Sequence, residues 1–141
     1  MTQITEKEKI ENSKQKSRVV EVAVAHVEAW SNHDYEAARK SLASDVHVTV
    51  TTTQPTMSAT DTTGIDEYMD GLIKFGQIVV PGSAHITDSI GDERNALLMV
   101  TVKAIIRQGM APLPLTAARL YLLDEENRIK TEQVIFCVLM N

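Results

Sequence analysis

Cysteine is nearly missing from this chain of 141 residues: Cys137 stands alone, so no disulfide can form within it. Cys137 lies in the apolar run VIFCVLM, where a buried, inert thiol is expected because nothing nearby favours the thiolate. Long apolar runs are lacking too. The longest falls well short of the ~18 residues that a membrane-spanning helix needs. The N-terminal stretch MTQITEKEKIENSKQKSR has no apolar core of the kind a signal peptide carries, so a cytoplasmic location is expected. Clustered positive charge is also absent. Fourteen Lys and Arg against nineteen Asp and Glu leave a net charge of −5, and the one dense charge run, Glu6 to Arg18, mixes both signs. A nucleic-acid partner is not expected of such a surface. There is no glycine-rich phosphate loop, no nucleophile elbow and no CxxC pair. His26, His33, His47 and His85 lack HxxxH spacing and a neighbouring carboxylate pair. Neither a metal nor a cofactor is therefore expected.

What is present is the material of one domain. Hydrophobic content of 43% and charged content of 23% are ordinary for a globular chain. Its length suffices to bury roughly two thirds of the surface that the unfolded chain exposes. Residues 18–32, RVVEVAVAHVEAWSN, read as a helix whose inward arc collects Val19, Val20, Val22, Ala23, Val24, His26, Val27 and Trp30. Arg18, Glu21 and Glu28 fall opposite. Residues 1–17 read as a flexible or weakly helical arm, with Thr5 and Glu8 spaced as a capping box, ahead of a single domain over 18–141.

SNHDYEAARKSLAS follows as a turn and a short second helix with Asp34 as its N-cap. DVHVTVTTT then alternates, Val46, Val48 and Val50 on one face and His47, Thr49 and Thr51 on the other. The Thr-rich stretch up to Gly64 has no period and reads as a loop, its 53–63 portion rimming a cavity mouth. Thr63-Gly64-Ile65-Asp66 signals the start of a third helix running to about Gln77.

The second half reads as four strands, 83–90, 95–107, 114–123 and 128–139, separated by turn signals. Two of them are apolar on both faces. Leu98, Val100 and Val102 alternate with Leu97, Met99 and Ile105. Leu115, Ala117, Tyr121 and Leu123 alternate with Ala118, Leu120 and Leu122. Such a sheet must be covered twice. The helices cover one face, and a second copy of the chain is expected on the other, making a homodimer.

The order helix, helix, strand, helix and four strands, together with AWSNHDYEAARKSLASDV and the hairpin LLDEENRIKTEQVIF, resembles the nuclear transport factor 2-like superfamily. That group includes ketosteroid isomerases, SnoaL-like polyketide cyclases, limonene-epoxide hydrolases and scytalone dehydratases. The resemblance implies an α+β cone: a curved, mostly antiparallel sheet wrapped around three N-terminal helices, with an internal cavity. It also implies a small hydrophobic ligand handled without a cofactor. Aligned on these motifs, the isomerase general base falls on Val50, its oxyanion-hole tyrosine on His26 and its second oxyanion-hole acid on Arg119. The final-strand aspartate of the epoxide hydrolases falls on Val134. Valine removes any proton-abstracting group, so ketosteroid isomerisation by that mechanism is not expected.

The polar candidates come from the residues themselves. His26 sits inside an apolar helical arc and must find a partner or line a cavity, since burying it unpaired costs roughly 1–3 kcal/mol. It is either a core histidine bonded to a backbone carbonyl or to Tyr68, or an acid/base group in the cavity. Arg119 interrupts an apolar strand row. Hairpin symmetry opposes it to Glu132, and a one-residue bulge at Asn127 would put Gln133 opposite instead. The two either form a structural ion pair or anchor a ligand. The candidate catalytic set is thus His26, Arg119 and Glu132, with Trp30, Val50, Met57 and Tyr68 as candidate substrate-binding residues. For Trp30 and Tyr68, core packing is the competing reading.

Overall fold

The computed structural model describes residues 5–52 and 60–137. Helix α1 (Glu6–Ser31) is 26 residues long and starts at a complete capping box: the Thr5 side chain accepts from the Glu8 backbone, and the Glu8 side chain accepts from the Thr5 backbone. From Glu6 onward, then, the expected arm is part of α1. The capping box satisfies first-turn donors, and the buried second half supplies a preformed helix to extend. Gln15 ties this extension to the sheet end through Nε2, which donates to the Glu93 carbonyl and to Asn127 Oδ1.

The inward face of α1 is the row Val19, Ala23, His26, Val27 and Trp30, all at most 1% exposed. Helix α2 (Tyr35–Lys40) begins at Asp34, whose side chain accepts from Ala37. It ends earlier than expected, because Leu42 and Ala43 are already buried in strand β1 (Leu42–Thr51). Strand β2 (Thr60–Thr63) corrects the loop assignment for those residues: Thr60 and Thr62 pair with Val50 and Val48. Backbone bonding to β1 makes this edge strand, so it needs no apolar alternation. Met57 and the rest of the expected rim loop before residue 60 lie outside the described residues.

Helix α3 (Ile65–Gly76) starts at Gly64, which has φ of 103° and supplies no side-chain cap, so the expected capping signal is absent. Strands β3 (His85–Gly91), β4 (Asn95–Ala104), β5 (Leu113–Leu123) and β6 (Ile129–Cys137) complete one six-stranded sheet in the order β2-β1-β6-β5-β4-β3. All pairs are antiparallel except β1 with β6. Register shifts interrupt three of the ladders: β1/β6 between Leu42 and His47, β3/β4 between Ile86 and Asp88, and β5/β6 between Leu122 and Leu123. Bulges of this kind bend strands, and the sheet curves around the helices.

Inward residues of β4, β5 and β6 (Leu98, Val100, Ala117, Tyr121, Val134, Phe136) join α1 and α3 in one core. The opposite sheet face carries Leu97, Leu120 and Ile135 at 36–50% exposure. Cys137 shares the outward parity of Ile135 and is exposed, which corrects the expected buried thiol.

Candidate functional site

A cleft of about 220 Å³ opens between α3 and the concave face of β2, β1, β6 and β5. Its walls are Val48 and Val50 of β1, Thr60 and Thr62 of β2, Glu67, Gly71, Leu72 and Phe75 of α3, and Val134 and Phe136 of β6. Tyr68, Arg119 and Glu132 supply its polar side. Strand parity explains the set: positions 132, 134 and 136 of β6 all point inward, beside Arg119 and Val50.

Arg119 and Glu132 come together, but by a different register from the one expected. Glu132 pairs with Tyr121, Arg119 with Val134, and Gln133 with Leu120. Leu123 pairs with Ile129, one residue out from symmetry about Glu125-Glu126, and the shift between Leu122 and Leu123 adds a second, so the two charges stay on one face and meet diagonally. Arg119 Nη1 lies 3.8 Å from Glu132 Oε2, and both side chains are almost wholly buried. Three rings surround the guanidinium: Cζ is 4.8 Å from the Trp30 centroid, 5.7 Å from Phe75 and 6.0 Å from Phe136. Desolvated cation–π contacts of this kind contribute about 2 kcal/mol and offset part of the burial penalty. Arg119 Nε, Glu132 Oε2 and Trp30 Nε1 are nevertheless buried without a hydrogen-bond partner.

His26 stands one layer behind the cleft and does not line it. Its Nε2 is 2.9 Å from the Tyr68 hydroxyl, which donates to Glu132 Oε1 at 2.9 Å. Its Nδ1 is 2.8 Å from Ser41 Oγ and 3.1 Å from the Ala38 carbonyl. Trp30 is likewise behind the floor, packed edge-on against Phe75. Burial pushes the His26 pKa below its ordinary value. The Glu132 charge and the Ala38 carbonyl oppose that fall, and the Arg119 charge adds to it. Burial, and next the Glu132 charge, hold the Tyr68 and Tyr121 phenols well above their ordinary range, so both stay protonated.

The other histidines lie away from the cleft. His47 pairs with Asp61 on the outer side, His33 stacks on Tyr35, and His85 is exposed. Among the described residues no three His, Cys, Asp or Glu side chains gather to hold a metal ion, and no helix is long and apolar enough to cross a membrane.

Phe75, Phe136 and Gly71 were missed as cleft residues in the sequence. Phe75 lies on the apolar face of α3 with Tyr68 and Leu72, and Phe136 shares the parity of Glu132. Those two signals were available. Nothing in the sequence marks Gly71 as facing a cleft.

No family model matches the chain, and no curated protein matches it in sequence. Solved structures do match. An LEH-like epoxide hydrolase of M. tuberculosis superposes with a TM-score of 0.66 at 17% identity, covering 86% of this chain and 84% of that one. A Catenulispora acidiphila DSM 44928 protein of ketosteroid isomerase-like fold, in complex with trimethylamine, gives 0.67 at 15% identity, over 81% of this chain and 83% of that one. A Shewanella denitrificans OS-217 protein assigned as a SnoaL-like polyketide cyclase gives 0.68 at 14% identity, over 83% and 88% respectively. These likenesses show the nuclear transport factor 2-like fold. Of the four positions that the resemblance marks, 50, 119 and 134 line the cleft and 26 stands behind it.

The lowered His26 pKa sets a pH window. The unfolded chain binds that proton more readily, so stability contributed by the neutral ring is full above 6.5 and is lost as pH falls from 6.5 toward the folded-state value. Urea denaturation of the native protein should show a falling midpoint across that interval. His26→Gln should flatten the slope there, and an unchanged slope would contradict the assignment.

Proposed function

We propose that this protein binds a small, largely apolar molecule bearing an oxygen function in the cleft between α3 and the concave sheet face. The observation that carries this reading is the cleft itself: apolar walls of Val50, Leu72 and Val134 converging on Tyr68, Arg119 and Glu132. Pockets that take small organic ligands combine such walls with a few fixed polar groups. The volume lies below the ~300–1,000 Å³ usual for drug-sized ligands, which favours a small one. Fold alone does not fix chemistry. A second reading, cofactor-independent proton transfer on the same ligand by an isomerase-, cyclase-, dehydratase- or epoxide hydrolase-like reaction, is favoured by the contact between Glu132 and Tyr68. In that reading Glu132 and Tyr68 exchange the proton, and Arg119 stabilises negative charge on the ligand oxygen.

Gly71 provides the test. It lies inside α3, where glycine costs roughly 1 kcal/mol relative to alanine, and an added Cβ would meet nothing within 4 Å. Close packing does not require glycine there, and Gly71 itself borders the cleft. Gly71→Ala should therefore stabilise the protein by about 0.5–1 kcal/mol. Gly71→Leu should keep the fold and fill the cleft. In an NMR screen of small ketones, epoxides and polyketide-like compounds, binders should shift Val48, Val50 and Val134 in the native protein and lose affinity at least tenfold in Gly71→Leu. Undiminished binding, or shifts mapping elsewhere, would refute the site.

The second part of the proposal is a homodimer through the convex sheet face. Leu97 pairs with Leu120, and Ala118 lies between Met99 and Ile135, which makes one apolar patch across three strands. Patches of this sort on a folded chain mark interaction surfaces. Analytical ultracentrifugation at micromolar concentration should show a dimer that Leu120→Lys dissociates. A stable monomer of the native chain would rule it out.

A further inference from the structure

His26 is hydrogen-bonded at both ring nitrogens. The Ala38 carbonyl, which can only accept, lies 3.1 Å from His26 Nδ1, and the Ser41 hydroxyl, 2.8 Å from Nδ1, has that same carbonyl open to its own proton at 2.8 Å. Nδ1 therefore carries a hydrogen. On the other side a single phenolic proton serves two contacts, one to His26 Nε2 and one to Glu132 Oε1, each 2.9 Å. Two hydrogen bonds need two protons, and Tyr68 owns one. When the pair takes up a proton as pH falls, that proton sits on Nε2, making His26 an imidazolium beside a Glu132 carboxylate, or on Oε1, making Glu132 a neutral acid and His26 a neutral ring. Before that uptake the single Tyr68 proton serves one contact at a time.

We propose that His26 and Glu132 hold this one proton in common through Tyr68, so that His26, behind the cleft, sets the charge of Glu132 at its polar end. Interchange of the two forms moves two protons one hydrogen bond each. Nε2–H passes to Tyr68 Oη as the Tyr68 proton passes to Oε1, and the total proton count and net charge stay fixed. Neither end captures the proton outright, because each form carries its own penalty. Burial disfavours the imidazolium, and the Arg119 charge 3.8 Å from Oε2 disfavours the neutral acid. The groups facing His26 from the packed elements are Tyr68 on α3, Arg119 and Tyr121 on β5, Glu132 on β6, and Ser41 after α2. Among these, Tyr68 is the group that contacts both the ring and the carboxylate at hydrogen-bond distance. His26 is thus a positioning residue acting through Tyr68. Its consequence for a ligand rests on the cleft reading above, whereas the shared proton itself does not.

The test is a pH titration of the ligand-free protein, following the His26 ring nitrogens and the Glu132 carboxyl carbon by NMR. A pair coupled in this way titrates with common apparent midpoints. In the native protein the two probes should report the same midpoints. Tyr68→Phe keeps the ring and leaves Glu132 in place but removes the bridge. It should lower the His26 midpoint by about one pH unit or more and separate the two titrations. Glu132→Gln should lower the His26 midpoint as well. If only Glu132→Gln lowers it, charge acts through space with no shared proton, and the proposal fails. If neither variant moves it, the proposal fails equally. Since no ligand is present, an empty screen against the cleft and a failed titration are separate results.

Discussion

Two opposite charges, Arg119 and Glu132, are removed from water on the concave face of the sheet, and much of the interior is arranged around them. Three aromatic rings enclose the guanidinium, and a phenol occupies one carboxylate oxygen. The ion pair at 3.8 Å is loose for a buried pair, and each partner keeps one polar atom without a hydrogen bond. Such unmet groups cost roughly 1–3 kcal/mol each, and an apolar core of the same volume would avoid that cost. Both residues also border the cleft.

The architecture sets this local arrangement at the polar end of the cleft. Parallel pairing of β1 with β6 brings Val50 beside Val134, and the shift in the β5/β6 ladder aims Arg119 diagonally at Glu132. Helix α3 closes the cleft from above and delivers Tyr68 to the carboxylate, while α1 holds His26 against the far side of that phenol. The hydrogen-bonded chain therefore extends one layer deeper than the cleft walls. Val50 and Val134 stand side by side on the cleft wall, and Glu132 and Glu67 are the carboxylates that border it among the described residues.

The sequence exposed the inward residues more readily than their partners. Helical phase alone places His26 inward, and strand parity places Arg119 and Glu132 on one face, because both periods are set by backbone geometry. The Arg119–Glu132 register was not legible, since the displaced turn and the bulge near Leu122 together slide the strands by two residues, which keeps the side-chain alternation and leaves no mark in it. Strand β2 was hidden for a related reason: an edge strand of threonines held by backbone bonds shows no apolar period. Cys137 is a different case. The alternation that buries Glu132, Val134 and Phe136 also turns Ile135 and Cys137 outward, and an unbroken apolar run obscured it.

The central claim is that Arg119 and Glu132 make each other's burial tolerable, and a double-mutant cycle in urea denaturation tests it most directly. Glu132→Ala alone should destabilise the protein by about 3–5 kcal/mol, because it leaves the Arg119 charge buried and uncompensated. Adding Arg119→Met to that variant should restore part of the loss, leaving the double variant more stable than the single one. A double variant no more stable than Glu132→Ala would show that the two charges do not depend on each other, and the account of this site would fall.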